Sequence, residues 1–176
     1  MPEDQLPIIA TEFMNNSLYV EIVDVPADEL DGGGEPIPAW NGRLLMNPAG
    51  TVWVVLDGIA RGYRNADLLD RVHGWRRKKL RCAGPLGQQT CSRVWTNTVF
   101  HRISTISVIK VGPPIALDAT MISNRAGTVF FFENNRIRGI PSPDVMEKYQ
   151  FNWGTSKKNR YSDDVIMRLD TGTIIR

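Results

Sequence analysis

The chain has 176 residues, of which 42% are hydrophobic and 23% charged, a composition typical of a globular protein with one domain or two small ones. No stretch approaches the roughly 18 uninterrupted apolar residues of a membrane span, and the first residues lack the basic start and apolar run of a secretory signal. These features predict no membrane insertion, and a protein that is either cytoplasmic or exported by a route that reads no signal peptide.

The net charge of +2 conceals a separation of charge along the chain. Residues 1–42 contain nine acidic residues and no Lys or Arg, which leaves 21 basic and 10 acidic residues for the remainder. Opposite fields of this kind orient association. We therefore expect the acidic N-terminal arm, residues 1–36, to dock on a basic body, either its own or that of a neighbouring copy.

The arm contains one predicted strand and one predicted linker. Residues 18–24 alternate apolar and polar side chains and place Leu18, Val20 and Ile22 on one face, which predicts a half-buried strand. The three consecutive glycines within residues 31–36 interrupt this pattern and predict a flexible linker to the body.

A duplicated phrase dominates the rest of the chain. Residues 47–71 return without a gap as residues 124–148, which predicts two related structural units. In each unit, a segment rich in β-branched and aromatic residues predicts a strand, and a pair of turn residues then leads into a returning strand. These elements are residues 51–56, 57–58 and 60–63 in the first unit and 128–132, 134–135 and 137–140 in the second.

A short helix is predicted after each hairpin, because Asn65 and Ser142 are good N-cap residues and each is followed by an aspartate near the helix N-terminus. We expect a last strand to close each unit, at residues 103–111 and 165–169. The predicted fold is mainly β with short helices (β or α+β), built from two tandem β-hairpin–helix–strand repeats. Their predicted bounds are 37–118 for the first repeat and 119–176 for the second.

The first repeat carries an insertion of about 17 residues, within residues 75–100, that the second repeat lacks. This segment predicts a basic hairpin in which cations lie close to aromatic rings, a combination that suits phosphate contacts and base stacking. The predicted binding residues are Arg76, Arg77, Lys78, Lys79, Arg81 and Trp95. Two partners fit this charge: a nucleic acid, or the acidic arm of another copy.

Cys82 and Cys91 flank the predicted loop of this hairpin, and two short strands could place them opposite each other. A disulfide is therefore reasonable in an oxidising compartment, whereas a cytoplasmic chain would keep both thiols reduced. With only His73 and His101 nearby, these cysteines do not form a four-ligand zinc pattern, so we predict no metal.

The second unit carries the more distinctive motif. Residues 127–153 read Gly-Thr-Val-aromatic, then an Arg, then Ile-Pro-Ser-Pro-Asp-Val and finally Trp153. This pattern resembles a short module that recurs in tandem in bacterial surface and envelope-associated proteins, often beside enzymatic or cell-wall-binding domains. The resemblance covers roughly residues 43–176, although the first unit has Tyr63-Arg-Asn-Ala where the module has Ile-Pro-Ser-Pro. It implies an interaction or adhesion role.

Arg61 and Arg138 occupy the same position in the two units, each directly before a glycine. One hypothesis makes each arginine, with the aspartate of the following helix, part of a glycan pocket in which Trp53 or Trp153 supplies an apolar platform. The other hypothesis, which we favour, is structural: each arginine pairs with that aspartate or caps the helix, and the tryptophans belong to the core.

Catalytic signatures are missing from the sequence. It contains no recognisable Ser-His-Asp or Cys-His pattern and no glycine-rich phosphate loop, so we predict that the chain is not an enzyme and needs no cofactor. The leading hypothesis is a non-catalytic assembly protein in which the acidic arm of one copy docks on the basic surface of another, giving a salt-sensitive homo-oligomer. The alternatives are a glycan or cell-surface binding module and a nucleic-acid-binding protein.

Overall fold

The computed structural model of the chain describes residues 20–30, 32–74 and 76–176. It confirms a mainly β fold with short helices. The strands are β1 (Val20–Asp24), β2 (Leu44–Met46), β3 (Val52–Leu56), β4 (Ile59–Gly62), β5 (Arg76–Ala83), β6 (Thr90–Arg102), β7 (Thr120–Asn124), β8 (Val129–Glu133), β9 (Arg136–Ile140), β10 (Arg160–Tyr161) and β11 (Asp170–Thr171). The helices are α1 (Ala66–Val72), α2 (Pro143–Lys148), α3 (Trp153–Lys158), α4 (Asp163–Ile166), and the 3-10 helices Ala27–Leu30, Pro38–Trp40 and Ile106–Val108.

These strands form two sheets. The first has the order β1-β6-β2-β3-β4, with β5 also paired to β6, and the second has the order β10-β7-β8-β9-β11. In each sheet, three antiparallel strands are flanked by a strand that runs parallel to the first of the three, β6 beside β2 and β10 beside β7. At the other side, β11 pairs in parallel with β9, and Val111 makes a parallel bridge to Ala60 of β4. The sheets share this order of pairing, while the duplication itself stays a prediction from the sequence.

Both predicted hairpin turns form, and their residues adopt the left-handed conformation. The angle φ is 54° at Asp57 and 76° at Gly58 in the turn between β3 and β4, and 51° at Asn134 and 59° at Asn135 in the turn between β8 and β9. Two-residue turns with positive φ match the twist of the strands that they join. Asp, Asn and Gly adopt this conformation at low cost, which is why the sequence revealed both turns.

Helices α1 and α2 begin at the predicted N-cap residues. The Asn65 side chain accepts a hydrogen bond from the backbone N–H of Leu68 at 2.7 Å, and Ser142 Oγ accepts one from the N–H of Val145 at 3.4 Å. Each bond satisfies a donor that the first turn of a helix leaves open. The side chains that these two helices bury are Leu68, Leu69, Val72 and Met146.

The predicted closing strands at residues 103–111 and 165–169 are wrong. A 3-10 helix occupies Ile106–Val108, and α4 occupies Asp163–Ile166. The β-branched residues suggested strands, but in the first segment a capping bond starts a helical turn instead, because Thr105 Oγ1 accepts the N–H of Ser107 at 3.3 Å. Helix α4 begins after Ser162 without a side-chain capping bond. The strands that pair in parallel are β1 and the end of β6 in the first sheet, and β10 and β11 in the second.

The inner faces of the two sheets share one apolar core. Val52 and Val54 of β3 pack there with Val129 and Phe131 of β8. Because successive strand residues lie on opposite faces, the intervening Trp53 belongs to a separate cluster on the outer face of the first sheet. Strand β3 is therefore covered on both faces, and all five of its residues are buried.

Candidate interaction surfaces

The described part of the acidic arm lies on the body of its own molecule. Strand β1 pairs in parallel with the end of β6, which confirms the predicted strand over the described residues and makes it part of the first sheet. Glu29 Oε2 accepts a hydrogen bond from Arg43 Nη1 at 2.7 Å, and Asp24 Oδ1 lies 3.6 Å from Arg102 Nε. The second pair is exposed and contributes little. The first 19 residues of the predicted arm lie outside the described residues.

The predicted basic insertion forms a long antiparallel hairpin. Strands β5 and β6 are in register from Arg76 opposite Asn97 to Ala83 opposite Thr90, and residues 82–92 at its tip are all exposed. Of the predicted binding residues, Arg76, Arg77, Lys78, Lys79 and Arg81 lie in β5, and Trp95 lies in β6 opposite Lys78. The side chains of these six residues, and all of Trp75, lie outside what the structure describes.

A disulfide joins Cys82 to Cys91, as the sequence predicted for an oxidising compartment. The two residues are register partners near the tip of the hairpin, and their Cα atoms are 4.1 Å apart. By restricting the unfolded chain, a bridge that closes a loop this short contributes on the order of 2 to 3 kcal/mol. The bond fixes the register of β5 and β6 at the end that is farthest from the core sheet.

Arg61 and Arg138 are paired, but with acidic residues that the sequence analysis did not identify. Arg61 forms two hydrogen bonds of 2.7 Å with the carboxylate of Glu133, at side-chain exposures of 17% and 15%. Arg138 forms two of 2.8 and 2.9 Å with Asp57, whose side chain is 61% exposed. Each arginine thus reaches the turn region of the other predicted unit, and the expected pairing with the helix aspartates is wrong.

Further bonds attach these arginines to the backbone. Arg61 donates to the carbonyl oxygens of Pro113 and Pro114 at 2.8 and 3.1 Å, and Arg138 donates to the carbonyl oxygen of Thr173 at 2.7 Å. Because both guanidinium groups are used in holding the two units together, the glycan hypothesis loses the two hydrogen-bonding groups on which it relied. The structural hypothesis, in which each arginine forms an ion pair, is supported, but the partners are Glu133 and Asp57 and not the helix aspartates.

The two tryptophans proposed as platforms have different positions. Trp53 is 0% exposed within the outer cluster of the first sheet, so it presents no surface to a ligand. Trp153 is half-buried and lines an open cleft of about 270 Å³ in the second unit. The cleft is lined by Ala126, Gly127, Thr128, Val129, Ile140, Pro141, Ser142, Pro143, Met146 and Trp153. The residues of the second unit's motif therefore meet at one surface.

A buried polar group lies in the shared core. His73 is 0% exposed, its Nδ1 lies 2.9 Å from the carbonyl oxygen of Tyr149, and its Nε2 contacts the Tyr63 hydroxyl. A carbonyl only accepts, so Nδ1 donates to it and Nε2 accepts from Tyr63. Burial raises the pKa of Tyr63 well above its ordinary value of 10, which keeps the hydroxyl protonated as the donor. This arrangement links the two units and is closed to a substrate.

An apolar groove on the second sheet was missed by the sequence analysis. Its volume is about 150 Å³, and its lining is almost wholly apolar: Thr120, Ile122, Phe132, Tyr161, Val165 and Leu169. The sequence feature that could have indicated this groove is the alternation of side chains between the two faces of β8. Phe131 faces the shared core, while Phe130 and Phe132 are half-buried on the opposite face.

Over the described parts of the chain, no cluster of three or more His, Cys, Asp or Glu side chains is arranged to hold a metal ion. None of the helices described is both long and apolar enough to cross a membrane. His101, the other histidine, is half-buried on β6, and burial together with the charge of Arg43 lowers its pKa. Comparison of the chain with protein-family models, with curated proteins and with solved structures found no match.

Proposed function

We propose that this chain is a non-catalytic interaction protein that self-associates by exchanging its acidic N-terminal segment between copies. The observation that carries the proposal is the docking of that segment: β1 is the outermost strand in the order of its sheet and pairs with β6. In an exchanged dimer, β1 of one copy makes the same contacts with β6 of the other. Exchange of an identical element is a low-cost route to a dimer.

The connection after this segment supports the proposal. Gly33 and Gly34 have φ of 63° and 76°, and a Cβ atom at Gly33 would meet nothing within 4 Å. Beyond them the chain is held to the body by backbone hydrogen bonds. The N–H of Lys110 donates to the carbonyl oxygen of Glu35 at 3.0 Å, and the N–H of Ile37 donates to the carbonyl oxygen of Gly58 at 2.8 Å. Gly34 is itself held to the body, because its backbone N–H donates to the carbonyl oxygen of Val108 at 3.3 Å, so the turn at Gly33 is the position best suited to act as the hinge between residues 20–30 and the body.

Self-association is tested by measuring particle mass after refolding at high protein concentration. We expect the full chain to show a dimer fraction that deletion of residues 1–30 removes and deletion of Gly33 and Gly34 increases, because a shortened hinge strains the closed monomer. The ion pair of Glu29 with Arg43 forms in both states, so added salt should change the dimer fraction only slightly, unlike the salt-sensitive docking that the charge separation alone led us to expect. Multi-angle light scattering gives the mass.

A matched control shortens a different glycine turn, by deletion of Gly87 at the hairpin tip, where a Cβ atom would also meet nothing within 4 Å. This change should leave the mass unaltered. A monomer under every condition, with the hinge-shortened variant included, would exclude exchange.

A second candidate function is nucleic-acid binding, and the basic hairpin favours it. Strand β5 holds five cationic residues within six positions, and one of them, Lys78, is the register partner of Trp95. A hairpin with an exposed tip, five cationic positions along one strand and an aromatic residue opposite one of them suits a single-stranded polyanion. The glycan alternative has weaker support, because Arg61 and Arg138 are engaged and Trp53 is buried.

Binding of a fluorescent single-stranded oligonucleotide, followed by anisotropy, tests this second function. We expect affinity to fall steeply with salt, with a slope of roughly 0.7 per phosphate contacted. The charge-reversal variant Arg76→Glu, Arg77→Glu, Lys78→Glu, Lys79→Glu should bind at least about 100-fold more weakly, since several contacts of this kind are lost together.

The control reverses an equal number of exposed cations on other elements, Arg125, Arg136, Arg160 and Arg168. Only the hairpin variant should lose binding. An equal loss in both variants would show a general effect of net charge, and the hairpin would then have no special role.

A further inference from the structure

The outer face of the first sheet is fully covered. Its sheet residues Leu45, Trp53, Val55 and Ala60 are all 0% exposed. One part of the cover is the 3-10 helix Ile106–Val108 and its flanks. The other part, which we call the strap, comprises residues 25–30 and 32–40. The strap residues that pack on this face are Val25, Leu30, Ile37 and Trp40.

The outer face of the second sheet has apolar residues at the equivalent register positions but lacks this second cover. The positions 77 residues further along the chain are Ile122, Phe130, Phe132 and Ile137. Ile166 of α4 packs on them, as Ile106 does in the first sheet. Among the described residues, nothing in this cluster takes the place of the strap. Phe130 and Phe132 are consequently half-buried instead of buried.

The uncovered area continues beyond the sheet. Tyr161 and Val165 are each 42% exposed and line the groove of about 150 Å³, and Met167, two positions after Val165 in the chain, is 82% exposed. Exposed apolar side chains grouped around one groove favour contact with another apolar segment. The first sheet indicates what composition a covering segment should have, because the strap covers the equivalent face there.

The strap is acidic, contains prolines and has no Lys or Arg. Residues 1–19 have the same character: three acidic residues, no basic residue and two prolines. They also contain the apolar anchors that such a cover requires, which are Leu6, Ile8, Ile9, Phe13, Met14 and Leu18. Every Lys and Arg of the chain lies beyond residue 42, so neither the strap nor residues 1–19 contain a cation.

The length of residues 1–19 is sufficient to reach the groove within one molecule. Nineteen extended residues span up to about 60 Å, whereas a compact chain of this size has a radius of gyration of roughly 16 Å. We propose that residues 1–19 fold back on their own molecule and place their apolar side chains in the groove lined by Ile122, Phe132 and Val165. This contact forms within the monomer, so it does not rest on the exchange proposed above.

Photo-crosslinking in the full chain tests this proposal. The photoreactive residue p-benzoylphenylalanine replaces Val165, which is exposed enough to accept it, and mass spectrometry locates the crosslinked peptide. We expect crosslinks to residues 1–19 in a product of monomer mass. The same photoreactive residue in place of Arg125, an exposed position outside the groove lining, serves as the control and should give no such product.

Variants of the segment sharpen the test. The double variant Ile8→Ser, Ile9→Ser should reduce the crosslink several-fold and increase the fluorescence of a dye that binds exposed apolar surface, because the groove opens. The matched variant Glu3→Gln, Asp4→Asn should change neither. Crosslinks from Val165 to other parts of the chain, no crosslink at all, or products found only at dimer mass would overturn the proposal.

Discussion

Replacing Arg61 with alanine is expected to lower the free energy of unfolding by about 3 to 5 kcal/mol, which is the loss when one partner of a buried ion pair is removed. Glu133 would keep its charge at 15% side-chain exposure, with the Ala116 N–H at 2.8 Å as a remaining hydrogen-bond donor. The carbonyl oxygens of Pro113 and Pro114 would lose their bonds as well. Equilibrium denaturation in urea, followed by tryptophan fluorescence, measures the change.

Arg138→Ala is the matched control, because Arg138 forms the corresponding two-bond contact with a carboxylate that is largely in solvent. Asp57 is 61% exposed, so we expect a loss of about 1 kcal/mol or less. Replacing both partners of the buried pair with apolar residues, Arg61→Met with Glu133→Leu, should recover much of the stability lost in Arg61→Met alone. Equal losses for Arg61→Ala and Arg138→Ala would contradict the expectation that the buried Glu133 pair contributes more stability than the exposed Asp57 pair.

Tyr63→Phe is expected to cost about 1 to 3 kcal/mol at neutral pH, because it removes a buried hydrogen bond to His73. The difference in the free energy of unfolding between the natural chain and this variant should then narrow as the pH rises above 10. Burial raises the pKa of Tyr63 well above its ordinary value, so the folded state keeps a proton that the unfolded state releases. The contribution of this tyrosine to the free energy of unfolding is therefore fully present below pH 10. Above pH 10 it falls, by up to about 1.4 kcal/mol per pH unit for each such tyrosine.

The Phe variant has no proton to lose at this position, and its stability should fall less steeply than that of the natural chain. Tyr149→Phe should behave similarly up to about pH 12, the value to which burial and then the charge of Asp57 raise the pKa of Tyr149. The control is Leu68→Ala, at a fully buried position without a titrating group, whose deficit should stay constant. Denaturation curves from pH 8 to pH 12 give these comparisons, and a constant deficit for Tyr63→Phe would contradict the prediction.

The sequence predicted those elements that depend on residues close together in the chain. The turns at Asp57-Gly58 and Asn134-Asn135, the N-caps Asn65 and Ser142, and the facing cysteines of the hairpin all formed as expected. Turn conformation, helix capping and hairpin register depend on residues a few positions apart, so they can be recognised from the sequence alone. The closing strands at 103–111 and 165–169 failed because β-branched composition alone does not separate a strand from a short capped helix.

The tertiary structure decided which long-range partners meet. Arg61 reaches Glu133 across 72 positions and Arg138 reaches Asp57 across 81, although nearer aspartates were available in sequence. Burial of His73 likewise depends on packing between the two units, and burial of Trp53 depends on the segments that cover the outer face of the first sheet.

By itself, the sequence determined the local geometry of each hairpin and the separation of charge between the first 42 residues and the remainder. Only the packed structure decided that the repeated arginines join the units and that one outer face is covered while the other holds a groove. The physical reason is range: turns and caps are fixed by neighbouring dihedral angles and hydrogen bonds, whereas ion-pair partners and burial follow from surfaces that meet only after the chain has folded.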